Sequence, residues 1–310
     1  MIKREFTTLP QWTKQEVEKK EVKEGEPVWR DIAIGEIAAQ GKEHVENKLG
    51  MQDSIQLIES FEGKDDSAWI GVYDGHYLPV KFFEDQTYPD KMVVAHLVEK
   101  FREAVKAGQD YKQAFEASFA AVDKMISDQG FGGSTASVLL IEGRDAWVAN
   151  VGDSYVYIFS KDKDPELVSA DHNINYNTQE RTDAMKRGAD YDDETGYIYS
   201  EDRHGMQLSR SLGDRNMGDI VISKPDVNKI KISDNDEWIV VASDGLWEEL
   251  GAVGVMEILD SSQNAEEAQE KLIEKIKTIE RKYYDEALGE DVTEIGNYDD
   301  AALVVVELKK

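Results

Sequence analysis

The stretch Ile70-Gly71-Val72-Tyr73-Asp74-Gly75-His76 decides the fold, because an apolar, partly β-branched run ends there in an acid, a glycine and a histidine. Such an apolar run predicts a buried strand. The Asp74 carboxylate would then emerge at the end of a rigid element, and Gly75 would let the backbone turn and bring its carbonyl close to a ligand. Carboxylate and carbonyl oxygens suit a hard cation. An Asp-Gly pair after a strand is also typical of a turn, so this stretch alone leaves both interpretations open.

The composition indicates an acidic globular chain of 310 residues, of which 40% are hydrophobic. The net charge of −28 disfavours nucleic acid and anionic membranes as partners and favours divalent cations and basic protein surfaces. The absence of cysteine excludes disulfides, thiolate metal sites and cysteine nucleophiles. Because no apolar run reaches the length of a signal peptide core or a membrane span, we expect a soluble cytoplasmic protein.

The hydrophobic pattern predicts a single domain over residues 30–310, preceded by a polar, charge-rich extension over residues 1–29. The predicted strands cover residues 31–39, 55–58, 68–73, 136–141, 145–150, 155–159, 220–223, 238–242 and 302–308. The predicted helices cover residues 91–106, 111–126, 179–187 and 265–284. Helices that come in blocks between runs of strands argue against alternating βαβ units. They favour an α+β fold with paired, mainly antiparallel sheets flanked by helices.

Acids recur where predicted strands begin or end. Asp74, Asp153 and Asp244 follow apolar strands, and Asp299 and Asp300 precede the last one. Each acid alone is typical of a turn, but together they indicate carboxylates converging at one edge of a sandwich, where cations would offset their repulsion. Oxygen ligands without cysteine favour Mg²⁺ or Mn²⁺ over Zn²⁺. Two such ions bridged by a carboxylate can activate water for displacement at phosphorus, which predicts a metal-dependent phosphoester hydrolase.

A set of short motifs from about Ile32 to Leu308 resembles the metal-dependent PPM/PP2C-type protein serine/threonine phosphatases. The motifs occur in the family's order and are YDGH, GGSTASV, ANVGDS, ADHN, ERTDAMKRGA, LSRSLGD, KPDV, ASDGLWE and NYDDAALVVV. The resemblance implies a four-layer α-β-β-α sandwich of two antiparallel sheets between helices. It also implies a flap over about residues 173–205, after the central strands.

The resemblance implies a site for two ions, Mg²⁺ or Mn²⁺. Asp74 aligns with the aspartate that bridges both ions, and Gly75 aligns with the glycine whose carbonyl ligates the second ion. Asp244 and Asp299 align with the remaining ligands of the first ion. Asp300 stands where the family usually has asparagine, so its extra acid is expected to be peripheral.

Other residues are expected around the two ions. Asp53 aligns with an aspartate that holds metal-bound water, and its neighbour Gln52 replaces the usual glutamate, which keeps a hydrogen-bond acceptor but not the charge. Lys48 stands where an arginine usually binds the substrate phosphate, so the bidentate fork is lost. Asp153 and Glu248 align with acids of a third, weaker metal site.

His76 resembles the histidine expected to protonate the leaving group, with another acid as its expected partner. A purely structural role for this histidine is the alternative. The segments Ser209-Arg210 and Gly213-Asp214 are interpreted as structural, positioning the flap and a strand edge.

The implied activity is hydrolysis of phosphoserine and phosphothreonine in proteins by a metal-bridging hydroxide, without a covalent phosphoenzyme. A phosphoprotein is then the expected partner of a monomeric enzyme that binds neither nucleic acid nor membrane. Gln52 and Lys48 keep open a catalytically weakened binding or regulatory module of the same fold. A small-molecule phosphohydrolase is a further alternative, because it would share the chemistry but not the substrate.

Overall fold

One antiparallel sheet is built around the last strand of the chain. Its strands lie in the order β1-β17-β14-β7-β8. Their bounds are Trp29–Ile37 (β1), Ala301–Leu308 (β17), Asp236–Ala242 (β14), Tyr155–Ser160 (β7) and Glu166–Leu167 (β8). The side chains of β17 are buried on both faces of the sheet, which explains its nearly uninterrupted apolar sequence.

These positions come from a computed structural model that describes residues 28–37, 51–76, 88–130, 132–285, 290–295 and 298–309. Lys48 and most of the predicted N-terminal extension lie outside the described residues. Val28 and Trp29, at the end of that predicted extension, are buried in the core between the sheets.

The second sheet is built around β3, the strand with which the sequence argument began. Its path is β12-β4-β3-β5-β6-β13, and β2 pairs with β3 on the other side. The bounds are Asp53–Glu59 (β2), Ser67–His76 (β3), Gly133–Ser134 (β4), Ala136–Glu142 (β5), Asp145–Val151 (β6), Leu212–Gly213 (β12) and Asp226–Lys231 (β13). Strands β4 and β5 keep one register along β3, from Ser67 opposite Glu142 to His76 opposite Gly133.

Helices cover the outer face of each sheet. Helices α1 (Pro89–Lys106) and α2 (Tyr111–Gln129) pack on the second sheet through an aromatic core that includes Trp69, Phe101 and Phe115. Helices α4 (Asp244–Asp260) and α5 (Ala265–Lys277) pack on the first sheet around Val240 and Leu303. A third core of aliphatic side chains fills the space between the sheets. The layers are therefore α-β-β-α, and the predicted fold class is confirmed.

Two local predictions differ from the structure, and one helix was not predicted. Residues 220–223 were expected to form a strand, but residues Arg215–Ile220 form a 3₁₀ helix and the strand is β13, further along the chain. The helix predicted over residues 265–284 ends at Lys277, and Glu280–Asp285 forms β15 against β16 (Glu290–Ile295). Helix α4 was not predicted. Its Gly245 and Gly251 interrupt the pattern, and Gly251 has a φ of 62° inside the helix.

Part of the predicted flap forms a small subdomain of its own. It contains α3 (Thr178–Lys186) and a three-stranded sheet of β9 (Asp190–Asp192), β10 (Tyr197–Tyr199) and β11 (Gly205–Met206). Ile174, Ala184 and Ile198 form a minor core there with Met217 and Ile220. The three strands are too short and too polar for the hydrophobic pattern to reveal.

An ion-pair network anchors this subdomain to the second sheet. The Arg210 guanidinium donates to both oxygens of Glu180 in α3, at 2.6 and 3.2 Å, and its Nη1 lies 3.1 Å from Asp226 in β13. Burial alone would raise the pKa of Glu180, but the hydrogen bonds from Arg210 and Ser209 lower it below its ordinary value. The expected structural role of Ser209-Arg210 agrees with these contacts.

Replacing Arg210 by methionine should lower the free energy of unfolding by about 3 kcal/mol, because Glu180 would keep a buried charge without its cation. Urea denaturation measures this change. Lys124→Met is the matched control, since that lysine pairs with Asp128 on an exposed helix face and its loss should cost less than about 1 kcal/mol. Equal effects of the two substitutions would contradict the anchoring role of Arg210.

Candidate metal centre

The carboxylates singled out from the sequence meet where the two sheets come together. Asp53, the first residue of β2, lies directly opposite Asp74 in the β2–β3 ladder. Asp153 lies in the turn between β6 and β7, and Asp244 begins α4 directly after β14 and Ser243. Carboxylate oxygens of Asp74, Asp153 and Asp244 all lie within 4.8 Å of one another. Elements of both sheets therefore contribute to one acidic cluster.

Burial and mutual repulsion perturb these acids strongly. Burial raises the pKa of Asp74 well above its ordinary value, and the charges of Asp53, Asp153 and Asp299 raise it further. The pKa of Asp244 is likewise raised, first by burial and then by Asp74. Burial raises the pKa of Asp153 to about 6, against the hydrogen bond from Asn173. A divalent cation would relieve this repulsion and stabilise the ionised forms.

Ser243 joins the two sheets at the cluster. Its hydroxyl donates to Asp53 Oδ2 at 2.6 Å and accepts from the Ala302 amide at 3.0 Å. The same hydrogen bond opposes the effect of burial, which raises the pKa of Asp53 well above its usual range. Ser243 thus positions an acid of the second sheet by a contact with the first. The sequence pattern did not predict this role, because Ser243 and Asp53 are far apart in the chain.

Gly75 lies inside β3, which continues to His76, so the Asp-Gly pair does not form the turn that was one of its two interpretations. A Cβ at position 75 would lie 2.8 Å from the Gln52 carbonyl oxygen and 3.0 Å from Asp90 Oδ1. Glycine is therefore required by close approach of neighbouring groups and not by a turn.

Asp300, which was expected to be peripheral, is buried and contacts the segment opposite Gly75. In the continued β2–β3 register Gln52 lies opposite Gly75, and the Gly75 amide donates to the Gln52 carbonyl at 3.1 Å. In a regular pair the Gln52 amide would return a hydrogen bond to the Gly75 carbonyl. Here the backbone amide of Gln52 donates to Asp300 Oδ2 at 2.7 Å. Asp300 thereby draws a ladder donor away from the carbonyl that is expected to ligate the second ion.

His76 has the acidic partner that the sequence left unnamed. Its Nε2 lies 2.7 Å from Asp214 Oδ2, and Ser211 donates a short hydrogen bond to the same oxygen. Burial would lower the pKa of His76, but the Asp214 carboxylate raises it above its ordinary value. Asp214 therefore does more than shape a strand edge. A Cβ at Gly133 would lie 2.2 Å from Asp214 Oδ2, so the GGSTASV glycine leaves room for this carboxylate.

Asp299 and Glu248 border the cluster. The Asp299 Oδ1 accepts from the Asp300 amide at 2.7 Å, and its charge raises the pKa of Asp53, Asp74 and Asp244. Glu248 is exposed in α4, one turn after Asp244, and its charge raises the pKa of Asp153. Both acids lie close enough to act electrostatically on the predicted ligands.

A second group of metal-binding residue types lies at the base of the flap. His172, Glu180 and Asp226 place ligand atoms within 4.8 Å of one another. The Gly152 amide donates to His172 Nδ1 at 3.1 Å, so His172 Nε2 is the donor in its 3.0 Å contact with Asp226. Because Arg210 already bonds both acids, this group is a satisfied ion-pair network.

The fold and the acidic cluster define an α-β-β-α sandwich with an all-oxygen candidate site for divalent cations. The protein phosphatase 2C family model matches residues 38–284, and the chain belongs to that family. It is therefore a metal-dependent protein serine/threonine phosphatase of the PPM type.

Individual relatives agree with the family assignment. The chain is 28% identical over 204 residues to a probable protein phosphatase 2C 41 of Oryza sativa subsp. japonica, covering 66% of this chain and 69% of the relative. It is 26% identical over 254 residues to a probable protein phosphatase 2C 20 of Arabidopsis thaliana, covering 80% and 81%. The structure of a serine-threonine phosphatase 2C from Toxoplasma gondii matches its fold with a TM-score of 0.66 at 18% identity, covering 92% of this chain and 96% of that one.

Among the described residues, no helix is long and apolar enough to span a membrane.

Replacing Asp300 by alanine should weaken Mn²⁺ binding about tenfold. The backbone amide of Gln52 would lose its acceptor and could instead hydrogen-bond the Gly75 carbonyl, which is the predicted ligand. Isothermal titration calorimetry measures the affinity. Asp300→Asn is the matched control, since its amide oxygen can still accept from Gln52 and the loss should be smaller. Wild-type affinity in the alanine variant would show that Asp300 does not influence the centre.

Lowering the pH from 7 to 5 should weaken Mn²⁺ binding. Carboxyls whose pKa values are raised in the metal-free protein hold protons that a cation must displace, so each displaced proton costs about tenfold in affinity per pH unit below its pKa. The pKa of about 6 for Asp153 lies inside this window. Calorimetry at several pH values tests the expectation, and a pH-independent affinity would refute it.

Proposed function

We propose that the centre binds two Mg²⁺ or Mn²⁺ ions and hydrolyses phosphoserine and phosphothreonine in a protein substrate, without a covalent phosphoenzyme. The observation that carries the proposal is the convergence of Asp74 from β3, Asp153 from the β6–β7 turn and Asp244 from the start of α4. When bound, such ions lower the pKa of water and stabilise the charge that develops in an in-line displacement at phosphorus.

The ligand assignment is carried over from the family resemblance. Asp74 would be shared by both ions, Asp244 and Asp299 would complete the ligands of the first ion, and the Gly75 carbonyl would ligate the second. Asp53 and Gln52 would hold water around the second ion. Asp153 and Glu248 would provide a third, weaker site. All of these groups are oxygen donors, which are the ligands that Mg²⁺ and Mn²⁺ prefer.

His76 is the proposed proton donor to the leaving alkoxide. One third of its side chain is exposed, while its Asp214 partner is buried and holds the ring by one nitrogen. A positioned imidazole at the rim of a metal centre is suited to general acid catalysis. Asp214 is the positioning residue for that imidazole.

The net charge of −28 favours basic phosphopeptide segments over free nucleotides as substrates. A role for Lys48 in phosphate binding, a monomeric state and a cytoplasmic location stay predictions from the sequence.

Replacing Asp244 by asparagine should lower Mn²⁺-dependent phosphate release from a phosphopeptide at least about 100-fold, because a charged ligand of the ions is removed. Asp260→Asn, at the exposed end of the same helix, is the matched control and should retain full turnover. Circular dichroism checks that both variants fold.

Wild-type turnover by Asp244→Asn would refute the assignment of the centre. Side-by-side assays of the wild-type protein on a phosphopeptide and on small phosphoesters test the substrate class. Preference for the small esters would favour a small-molecule phosphohydrolase, and Mn²⁺ binding without any turnover would favour a binding module.

A further inference from the structure

Asp90, in the first turn of α1, is a fully buried acid beside the metal centre with one unsatisfied oxygen. Its Oδ2 accepts from Ser54 Oγ at 2.6 Å and lies 2.9 Å from Lys91 Nζ. Its Oδ1 is buried and has no hydrogen-bond partner among the described residues. A buried carboxylate oxygen without a donor is unfavourable, so its position calls for a donor that the described residues do not supply.

The unsatisfied oxygen faces the segment that is expected to hold the second ion. A Cβ built on Gly75 would lie 3.0 Å from Asp90 Oδ1, and the Gly75 carbonyl is the proposed ligand. Asp90 is thus adjacent to Gly75, although the two residues belong to different layers of the sandwich.

The satisfied oxygen belongs to a clamp on the start of β2. Lys91 Nζ donates to Ser54 Oγ at 2.5 Å and to the Asp53 carbonyl at 3.2 Å, while Ser54 donates to Asp90. This clamp uses only Oδ2 of Asp90. A neutral asparagine could serve the clamp with its single oxygen, so the clamp alone does not explain a second, buried acceptor.

We infer that Asp90 is a positioning residue of the metal centre, whose Oδ1 accepts a hydrogen bond from a water molecule in the shell of the cation at the Gly75 carbonyl. This inference rests on the proposed two-ion centre. It assigns to Asp90 the outer-shell negative charge that Gln52 does not supply. Outer-shell acceptors orient the ligands of a metal and commonly change its affinity by about 10–100-fold.

The test is Mn²⁺ binding measured by calorimetry, with the ions counted by Mn²⁺ electron paramagnetic resonance. Asp90→Asn keeps the size and one oxygen for the clamp but replaces the free acceptor by an amide donor. We expect one of the two ions to bind about tenfold more weakly or more, and the other to keep its affinity. Asp236→Asn is the matched control, because Asp236 is a buried acid at the opposite end of β14 from Asp244.

Lys91→Met is a second variant, for which the inference predicts a change in Mn²⁺ affinity of the opposite sign. The lysine is 41% exposed, so its loss need not unfold the chain, and it removes the charge that partly neutralises Asp90. If Asp90 acts on the cation, this variant should bind the ion affected by Asp90→Asn several-fold more tightly, because the electrostatic potential at that ion becomes more negative. If Asp90 serves only the clamp, loosening β2 should weaken binding.

The outcomes separate this inference from the proposed function. Two ions bound with wild-type affinity by Asp90→Asn, together with weaker or unchanged binding by Lys91→Met, would overturn the role of Asp90 and leave the two-ion centre intact. Absence of Mn²⁺ binding to the wild-type protein would overturn both. Thermal unfolding in EDTA shows whether Asp90→Asn destabilises the metal-free fold, and weaker binding of one ion by a variant with wild-type stability supports the inference.

Discussion

Repulsion between the clustered carboxylates of Asp53, Asp74 and Asp244 is the constraint on which the rest of the site depends. The pKa of each acid is raised by burial and by the neighbouring carboxylates, so bringing the ionised acids together is unfavourable. Rigid elements from both sheets hold the acids together, and Ser243 ties the sheets at that point through Asp53 and Ala302. The folding energy of two packed sheets is what permits a charge arrangement that only cations can fully relieve.

The flap is connected to this cluster by a continuous path of polar contacts. Asn173, at the start of the flap, donates to Asp153 at 3.0 Å, and the adjacent His172 links the β6–β7 turn to Asp226. Asp226 bonds Arg210, which holds Glu180 of α3. Since every member of the path has a partner, a displacement of the flap would have to exchange buried hydrogen bonds close to Asp153. The position of the flap is therefore linked to the hydrogen bonding of Asp153.

Much of the fold could be predicted from the sequence because its strands are buried on both faces and its helices α1 and α2 have a clear apolar side. The confirmed parts include β3, β5, β6, β7, β14 and β17, and the family assignment. Helix α4 was missed because its sequence contains glycines and its apolar residues do not form a single side. Strand β15 was missed because its partner β16 supplies the pairing, which local periodicity cannot show. The positions of the predicted ligands followed from motifs, whereas Ser243, Asp214 and Asp300 act through contacts between distant segments.

The departures at Gln52 and Asp300 acquire a joint physical meaning in the structure. Position 52 carries no charge, but its backbone amide donates to the buried carboxylate of Asp300. The charge of Asp300 also raises the pKa of Asp53. Asp90 lies on the other side of the same β2 start, bonded to Ser54 and adjacent to Gly75. Acidic side chains therefore flank the start of β2 and Gly75, one directly before β17 and one in α1, and residue 52 is not among them. Because a cation responds to the summed field of nearby carboxylates, the electrostatic requirement of the site can be met by residues other than position 52, and one of them, Asp90, belongs to none of the motifs.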